Sequence, residues 1–276
     1  MAGTIEMGVK VHATAIVEDG AELGVDVEVG PYSIVRQHVK IGDRSIIGPH
    51  VVLEGFTTLG AENKVFQFAS VGSAPQDLKF KNEPSTLIIG ARNTVREFVT
   101  LQPGTASGTM TTTIGDNNLF MANSHVAHDC RVGSSNVFAN SAALAGHVQI
   151  GSRVIVGGLV AIHQFARVGD LAMLAGGSMV SSDVPPYCIG QGDRCVLRGV
   201  NTIGLERAGL SEEQVAEVRR AYRHLFSSVG HLKEKAESLS AELAEKPHIK
   251  AMLEFIRSSS RGICQPGKTL GGRDSR

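Results

Sequence analysis

Along most of this chain the apolar positions fall on a period of six. An aliphatic residue stands at Val11, Val17, Leu23, Val29, Val35, Ile41, Ile47, Leu53, Leu59, Val65 and Val71. The phase breaks through SAPQDLKFKNEPST, recovers at Ile89, Val95 and Leu101, and breaks again around ASGTMTTT, where seven extra residues shift the frame. From Ile114 it runs on through Phe120, Val126, Val132, Phe138, Leu144, Ile150, Val156, Ile162, Val168, Leu174 and Val180. A helix repeats near 3.6 residues and a simple strand near 2, so a period of six fits neither alone. It fits one short strand plus one tight turn. Three such units close a triangular coil of about 18 residues, and coils stack at ~4.8 Å with the aliphatic residues turned inward.

Glycine often follows the aliphatic residue, as at Gly24, Gly42 and Gly133, where a corner demands positive φ or close backbone approach. Small residues such as Ala15, Ser33, Ser45, Ala69 and Ala142 predict limited space beside the corner. The expected fold is mainly β: a β-helix solenoid over residues 1–190 with loop insertions near 73–86 and 106–113. The pattern ends at DVPPY, because Pro185 and Pro186 cannot continue a ladder. Residues 191–276 then read as a connecting segment and a small α-helical domain. Ser211 and Gln214 form a capping box, and Val215, Val218, Tyr222, Leu225 and Phe226 share one helical face. A second helix is predicted from Leu232 to Lys246, stopped by Pro247, and a third from about Ile249 to Ser258. The last dozen residues, with Gly267, Gly271 and Gly272, read as a flexible tail.

Composition narrows the class. Its 27 basic and 27 acidic residues cancel, which gives no overall case for a nucleic-acid partner. No apolar run approaches the ~20 residues that span a bilayer, and no secretion signal is visible, so a cytoplasmic protein without stable membrane insertion is expected. Cys130, Cys188, Cys195 and Cys264 show no CxxC pair and read as reduced thiols. There is no Trp, while Gly reaches 32 residues, a balance that favours turns over an aromatic core.

The coil length lets vertical neighbours be computed. His128 lies under Gly146 and then Gln164, while Asp129 lies under His147 and then Phe165. His125 and His163 fall on adjacent corners. A hydroxyl that accepts an acyl group needs a base, and an imidazole with unperturbed pKa ~6.5 suits that role. Asp129 can fix its tautomer, and an unobstructed Gly146 N–H can stabilise an oxyanion. The plainer readings stay open: Gly146 as a corner glycine, Asp129 as a solvated turn residue, and His12, His38 and His50 as structural. Asp77 and Lys79 lie in a loop expelled from the repeat, where function concentrates; a solvated charge in KFKNE is the alternative for Lys79.

The runs NSHVAHDCRVG (123–133), LAGHVQIG (144–151), AIHQFARVG (161–169), QFASVGSAPQDLKF (67–80) and DVPPYCIGQG (183–192) resemble the UDP-N-acetylglucosamine 3-O-acyltransferases of lipid A synthesis, within the hexapeptide-repeat transferases. The resemblance implies a left-handed coil, a homotrimer with sites between neighbouring helices, and no cofactor or metal. It implies transfer of a 3-hydroxyacyl chain from acyl carrier protein to the sugar 3-hydroxyl. His128 would be the general base, Asp129 its orienting acid and Gly146 the oxyanion donor. Asp77, Lys79, His125, His147, His163, Gln164, Asn201 and Arg207 would meet the substrate, with Gln102 bordering the site. Gly158 and Gly176 would leave a groove for the acyl chain, and Arg219, Arg220 and Arg223 would dock the acidic carrier protein; a solvated helix face is the alternative for the arginines. The chain departs from the family pattern at Gln102, where a histidine is frequent, at Ile203, where an acid can occur, and at Ala208, where a second base is common. The rivals are a 3-amino acceptor, a coenzyme A-dependent sugar acetyltransferase, a zinc carbonic anhydrase using His125, His128 and His147, and a non-catalytic scaffold.

Overall fold

The structure, a computed structural model, describes residues 8–226 and 231–267. The hexad supplies one two-residue strand per side of a triangular left-handed prism. The first face holds 11 strands, from Lys10–Val11 up to Val196–Val200. The second holds 9, from Ile16–Val17 to Met179–Val180, and the third 8, from Glu22–Leu23 to Arg167–Val168. Within the coils pairing is parallel and, away from the two insertions, keeps the 18-residue register, as in Val29 with Ile47 and Leu144 with Ile162. The inward residues form one continuous core, in which Phe120 stacks on Phe138 at 4.8 Å. Each buried aliphatic side chain contributes about 1.5–3 kcal/mol, and repetition turns that into a stable column.

The recurrent glycines work by close approach. None of Gly24, Gly42 and Gly133 has positive φ. A Cβ on Gly42 would meet the Gly60 carbonyl carbon of the next coil at 2.5 Å. Positive φ falls instead on non-glycine corner residues, among them Asp26, Arg44, Asp129 (φ 59) and His147 (φ 63). A polar ladder also runs inside the core. Asn63, Asn93, Asn118 and Asn136 are buried, and each side-chain oxygen accepts the backbone N–H one coil on, from Asn93 N at 2.9 Å to Val154 N at 2.7 Å. Unpaired amides at those positions would cost roughly 1–3 kcal/mol each.

Both insertions leave the same edge. Val71 pairs with Leu101, 30 residues on instead of 18, and Leu101 pairs with Val126, 25 residues on. The chain leaves the second face after Ser70–Val71 and reaches the third at Thr86–Ile89; one coil later it leaves after Thr100–Leu101 and returns at Thr111–Ile114. Residues 111–113, expected in the second loop, therefore belong to a strand paired with Thr86–Ile89.

After the last coil, Cys188–Gln191 and Val196–Val200 form an antiparallel hairpin. Five helices follow among the described residues: α1 (Thr202–Arg207), α2 (Glu212–Phe226), α3 (Leu232–Glu237), α4 (Ala241–Ala244) and α5 (Pro247–Arg257). The capping box forms, with Ser211 N–H donating to Gln214 Oε1 at 2.9 Å and Gln214 N–H donating to Ser211 Oγ at 3.2 Å. The helix predicted over Leu232–Lys246 is instead broken at Ser238–Ser240, where the Ser238 hydroxyl donates to the Lys235 carbonyl at 3.2 Å and competes with helix continuation. The third begins two residues early, with Pro247 in its first turn. Of the expected flexible tail, Gln265–Gly267 is paired: Leu197 N–H donates to the Gln265 carbonyl and Gly267 N–H to that of Leu197, both at 2.9 Å. Residues 268–276 lie outside the described residues. Arg167 clamps α5 to the coil through Asp183 at 2.9 Å and the Phe255 carbonyl at 2.9 Å. Among the described residues no helix is long and apolar enough to cross a membrane.

Candidate active site

The edge that expels both loops also carries His128 and Asp129, between His125–Val126 on the second face and Arg131–Val132 on the third. Asp129 adopts the left-handed corner conformation, as corner residues do throughout the coil, so its φ marks the fold and not a function. Its side chain is wholly buried, which rules out a solvated turn residue. Its Oδ2 lies 2.8 Å from His128 Nδ1. The same carboxylate accepts from Thr105 Oγ1 (2.7 Å), Thr105 N (3.3 Å) and Thr109 N (2.7 Å), while Thr109 Oγ1 donates to the Thr111 carbonyl at 2.9 Å. Burial pushes the Asp129 carboxyl up, but donation from His128, Thr105 and Thr109 outweighs it and holds the group below the usual carboxylate range. An ionised Asp129 fixes the proton on Nδ1 and leaves His128 Nε2 free to accept one.

Gly146 lies directly over this ring. A Cβ there would meet His128 Cε1 at 2.5 Å and Nε2 at 2.6 Å, although its φ is ordinary. The residue is glycine because the imidazole occupies that space. Among the described residues its N–H donates to no acceptor, while the flanking Ala145 and His147 amides are paired. His147 stands edge-on to His128 at 5.1 Å and stacks on Phe165 at 4.5 Å. Burial lowers its imidazole pKa against the opposing charge of Asp129, with His128 adding to the fall; Asp77, on the first loop, opposes the fall.

The other expected residues are spread over several parts of the molecule. His125 lies on the flat second face, not a corner, with Nδ1 2.6 Å from Thr100 Oγ1. Burial, then the His128 charge, lowers its pKa. His163 and Gln164 are exposed on the same edge, one coil above Gly146. His163 Nδ1 accepts from Arg261 Nη2 at 2.8 Å. Gln102, expected to border the site, is buried and turned to the protein: its Oε1 accepts Gln76 N–H at 3.3 Å and tethers the first loop. Lys79 is exposed on that loop, where its N–H donates to Asp77 Oδ1 at 3.0 Å.

Asn201 and Arg207 lie elsewhere. With Val137, Ile155, Met173 and Ile203 they line a groove of ≈ 670 Å³ on the first face, which is opposite the His128 edge of the prism. Asn201 is expected to bind substrate, yet its side chain is committed: Oδ1 caps α1 through Gly204 N–H (3.2 Å) and Nδ2 donates to the Leu171 carbonyl (2.9 Å). Gly158 and Gly176 stack at the edge between first and second faces. Arg219, Arg220 and Arg223 are exposed on α2, without a partner among the described residues. Thr105, Thr109 and Arg261 are additions that the column arithmetic missed. Thr105 and Thr109 sit in an insertion that has no 18-residue partner.

The rivals read differently on this geometry. Potential metal-binding atoms of His128, Asp129 and His147 lie within 4.8 Å of one another, and His125 is not among them. Asp129 already accepts four hydrogen bonds, from His128, Thr105 (two) and Thr109, and His128 Nδ1 is engaged, so the donor set fits an oriented general base better than a metal cage. Cys130 is fully buried, and burial pushes its thiol up to about 12, which does not suit a nucleophile. His12, His38 and His50 do have structural partners: Thr14, Phe56, and Tyr32 with Phe68.

A hexapeptide coil with an oriented imidazole, an open N–H beside it and two loops gathered on one edge defines an acyltransferase of the hexapeptide class. Residues 23–55 match the bacterial transferase hexapeptide model of six repeats, and residues 183–264 match that of UDP N-acetylglucosamine O-acyltransferase, domain 2. The chain is 52% identical over 254 residues to the acyl-(acyl-carrier-protein):UDP-N-acetylglucosamine O-acyltransferase of Myxococcus xanthus, covering 92% of this chain and 98% of that one. It is 44% identical, with the same coverage, to the enzyme of that name from Halorhodospira halophila. The solved UDP-N-acetylglucosamine acyltransferase from Campylobacter jejuni superposes with a TM-score of 0.89 at 41% identity, over 94% of this chain and 100% of that one. The chain belongs to the UDP-N-acetylglucosamine O-acyltransferase family.

Proposed function

We propose that this chain transfers a 3-hydroxyacyl group from acyl carrier protein to the 3-hydroxyl of UDP-N-acetylglucosamine, the first step of lipid A biosynthesis. The observation that carries the reading is the His128–Asp129 couple at 2.8 Å with Gly146 over the ring. His128 Nε2 takes the proton as the sugar oxygen attacks the thioester carbonyl. Gly146 N–H stabilises the oxyanion, and its collapse breaks the carbon–sulfur bond. The departing thiolate then takes the proton back from Nε2, so the base is regenerated without a covalent acyl-enzyme.

The family's homotrimer accounts for the separation of the parts. Each chain has its base on one edge and its Asn201–Arg207 groove on the opposite face, so a neighbouring copy can bring the second to the first. An exposed aromatic ladder, Tyr32, His50, Phe68 and Phe98 at 5.0–5.2 Å spacings, supports burial of another edge against a second copy. Gly158 and Gly176 form the acyl groove beside Ile155 and Met173, and the three α2 arginines receive the acidic carrier protein. Both substrates are water-soluble, and the reaction belongs in the cytoplasm. Transfer from 3-hydroxyacyl carrier protein to UDP-N-acetylglucosamine by the wild type, lost in His128→Ala at the same oligomeric state, is the expected result. Full activity in the variant would end the general-base assignment, and an inactive wild type would turn the search to the 3-amino acceptor and then to coenzyme A donors.

A further inference from the structure

The two expelled loops hold each other as well as the site. Glu83 of the first accepts Ala106 N–H of the second through Oε1 at 2.7 Å, and its Oε2 accepts Lys81 N–H at 2.7 Å. Ala106 is flanked by Thr105, whose hydroxyl and N–H both reach the Asp129 carboxylate, and Thr109 closes the same carboxylate from the far side of the loop. Gly108 sits so close that a Cβ would meet the Asp129 carboxyl carbon at 2.3 Å. Gln102 Oε1 ties the start of the first loop at Gln76 N–H. The continuous path runs from the loop bearing Asp77 and Lys79, through Glu83 and Ala106, to Thr105, Asp129 and His128.

Given acyl transfer at this site, on which the inference rests, we propose that Glu83, Thr105 and Thr109 are positioning residues: the two insertions form a hydrogen-bonded collar that fixes the Asp129 carboxylate, and through it the His128 tautomer, in register with the substrate loop. The seven-residue insertion thus has a definite task. A bare corner would expose Asp129 to water, whereas the collar replaces water by three fixed donors from two threonines, the Thr105 hydroxyl and N–H and the Thr109 N–H. Among the charged and titratable groups around the carboxylate, His128 and His147 face it, Cys130 follows it in the chain, and Asp77, His125 and Glu83 stand one step behind.

Thr105→Val removes the 2.7 Å donor and keeps the shape. It is expected to lower kcat about tenfold, as loss of one hydrogen bond to a charged group does. KM for the UDP-sugar should change little. The acid limb of kcat/KM should move to higher pH, because a carboxylate with fewer donors holds protons more tightly. Thr105→Ser should recover most of the loss. Glu83→Ala should give a smaller fall of the same kind, relieved in Glu83→Gln, which keeps an acceptor for Ala106. Histidine-selective 15N spectra of the whole protein read the His128 tautomer without turnover, and Thr105→Val should erode its Nδ1–H form. Wild-type kcat, pH profile and spectrum in Thr105→Val would overturn the collar. An inactive wild type would overturn acyl transfer instead, and the spectra would still decide the collar.

Discussion

Gly146→Ala separates a glycine kept for space from one kept for a turn. Its φ is ordinary, so alanine brings no backbone strain, and the about 0.4–1 kcal/mol gained from a less flexible unfolded chain is outweighed by the clash of the new side chain, for a modest net loss of stability. The new Cβ would stand 2.5 Å from His128 Cε1 and 2.6 Å from Nε2, where ordinary carbon contacts are roughly 3.5–4.0 Å. The ring must retreat by about 1 Å, and a retreat of that size breaks its 2.8 Å bond to Asp129. Losing a hydrogen bond to a charged group costs about 1.5–3 kcal/mol, which is roughly 10- to 150-fold in rate. Misplacement of the base relative to the hydroxyl adds to this, so a fall in kcat/KM of at least about a hundredfold is expected. Because alanine retains the N–H, the oxyanion donor survives and the loss reports the imidazole. Carrier-protein transfer assays beside thermal melts at equal oligomeric state measure both arms. A variant within about threefold of wild type would refute the packing account, and a melt that falls as far when Gly146→Ala is added to His128→Ala, where the ring is gone, would show that the corner needed glycine for the backbone.

Asn201→Ala should lower stability by about 2–3 kcal/mol, through the lost cap of α1 and the unpaired Leu171 carbonyl. An unchanged denaturation midpoint would free the side chain for the substrate role that the family resemblance assigns. Arg167→Ala leaves Asp183 buried without its cation and should cost about 3–5 kcal/mol, read as early release of α5 in hydrogen exchange. The Asp129 carboxyl is held below its unfolded value, so its contribution to stability is present above about pH 4 and is lost as pH falls through the folded value. The melting advantage of wild type over Asp129→Asn should therefore shrink on acidification; an advantage that grows instead would reverse the sign of the assignment.

The period of six exposed the coil because every coil repeats the same demand: one inward aliphatic residue per side. Column arithmetic carried that register to His128, Gly146 and Gln164, and to Asp129, His147 and Phe165, and these residues share one edge. It failed where residues stand outside the register. The first insertion lengthens the pairing from 18 to 30 residues, a whole number of hexads, so the aliphatic phase alone does not reveal a loop there; the lost pattern through SAPQDLKFKNEPST does. The asparagine ladder also escaped notice, since a buried amide reads as polar until its neighbour one coil away satisfies it. The fold also gives Gln102 and Asn201 partners that spacing does not show: Gln102 Oε1 accepts Gln76 N–H, and the Asn201 amide is shared between Gly204 and Leu171.

Sequence by itself determined the repeat and the edge on which His128, Asp129 and Gly146 meet, because each depends on spacing along one chain. Tertiary structure decided which groups orient Asp129, why Gly146 has no side chain, and that Asn201 and Arg207 sit across the prism from His128. Those outcomes depend on loops folding back over a corner and on the width of the coil. Neither is periodic, so no count of residues contains them.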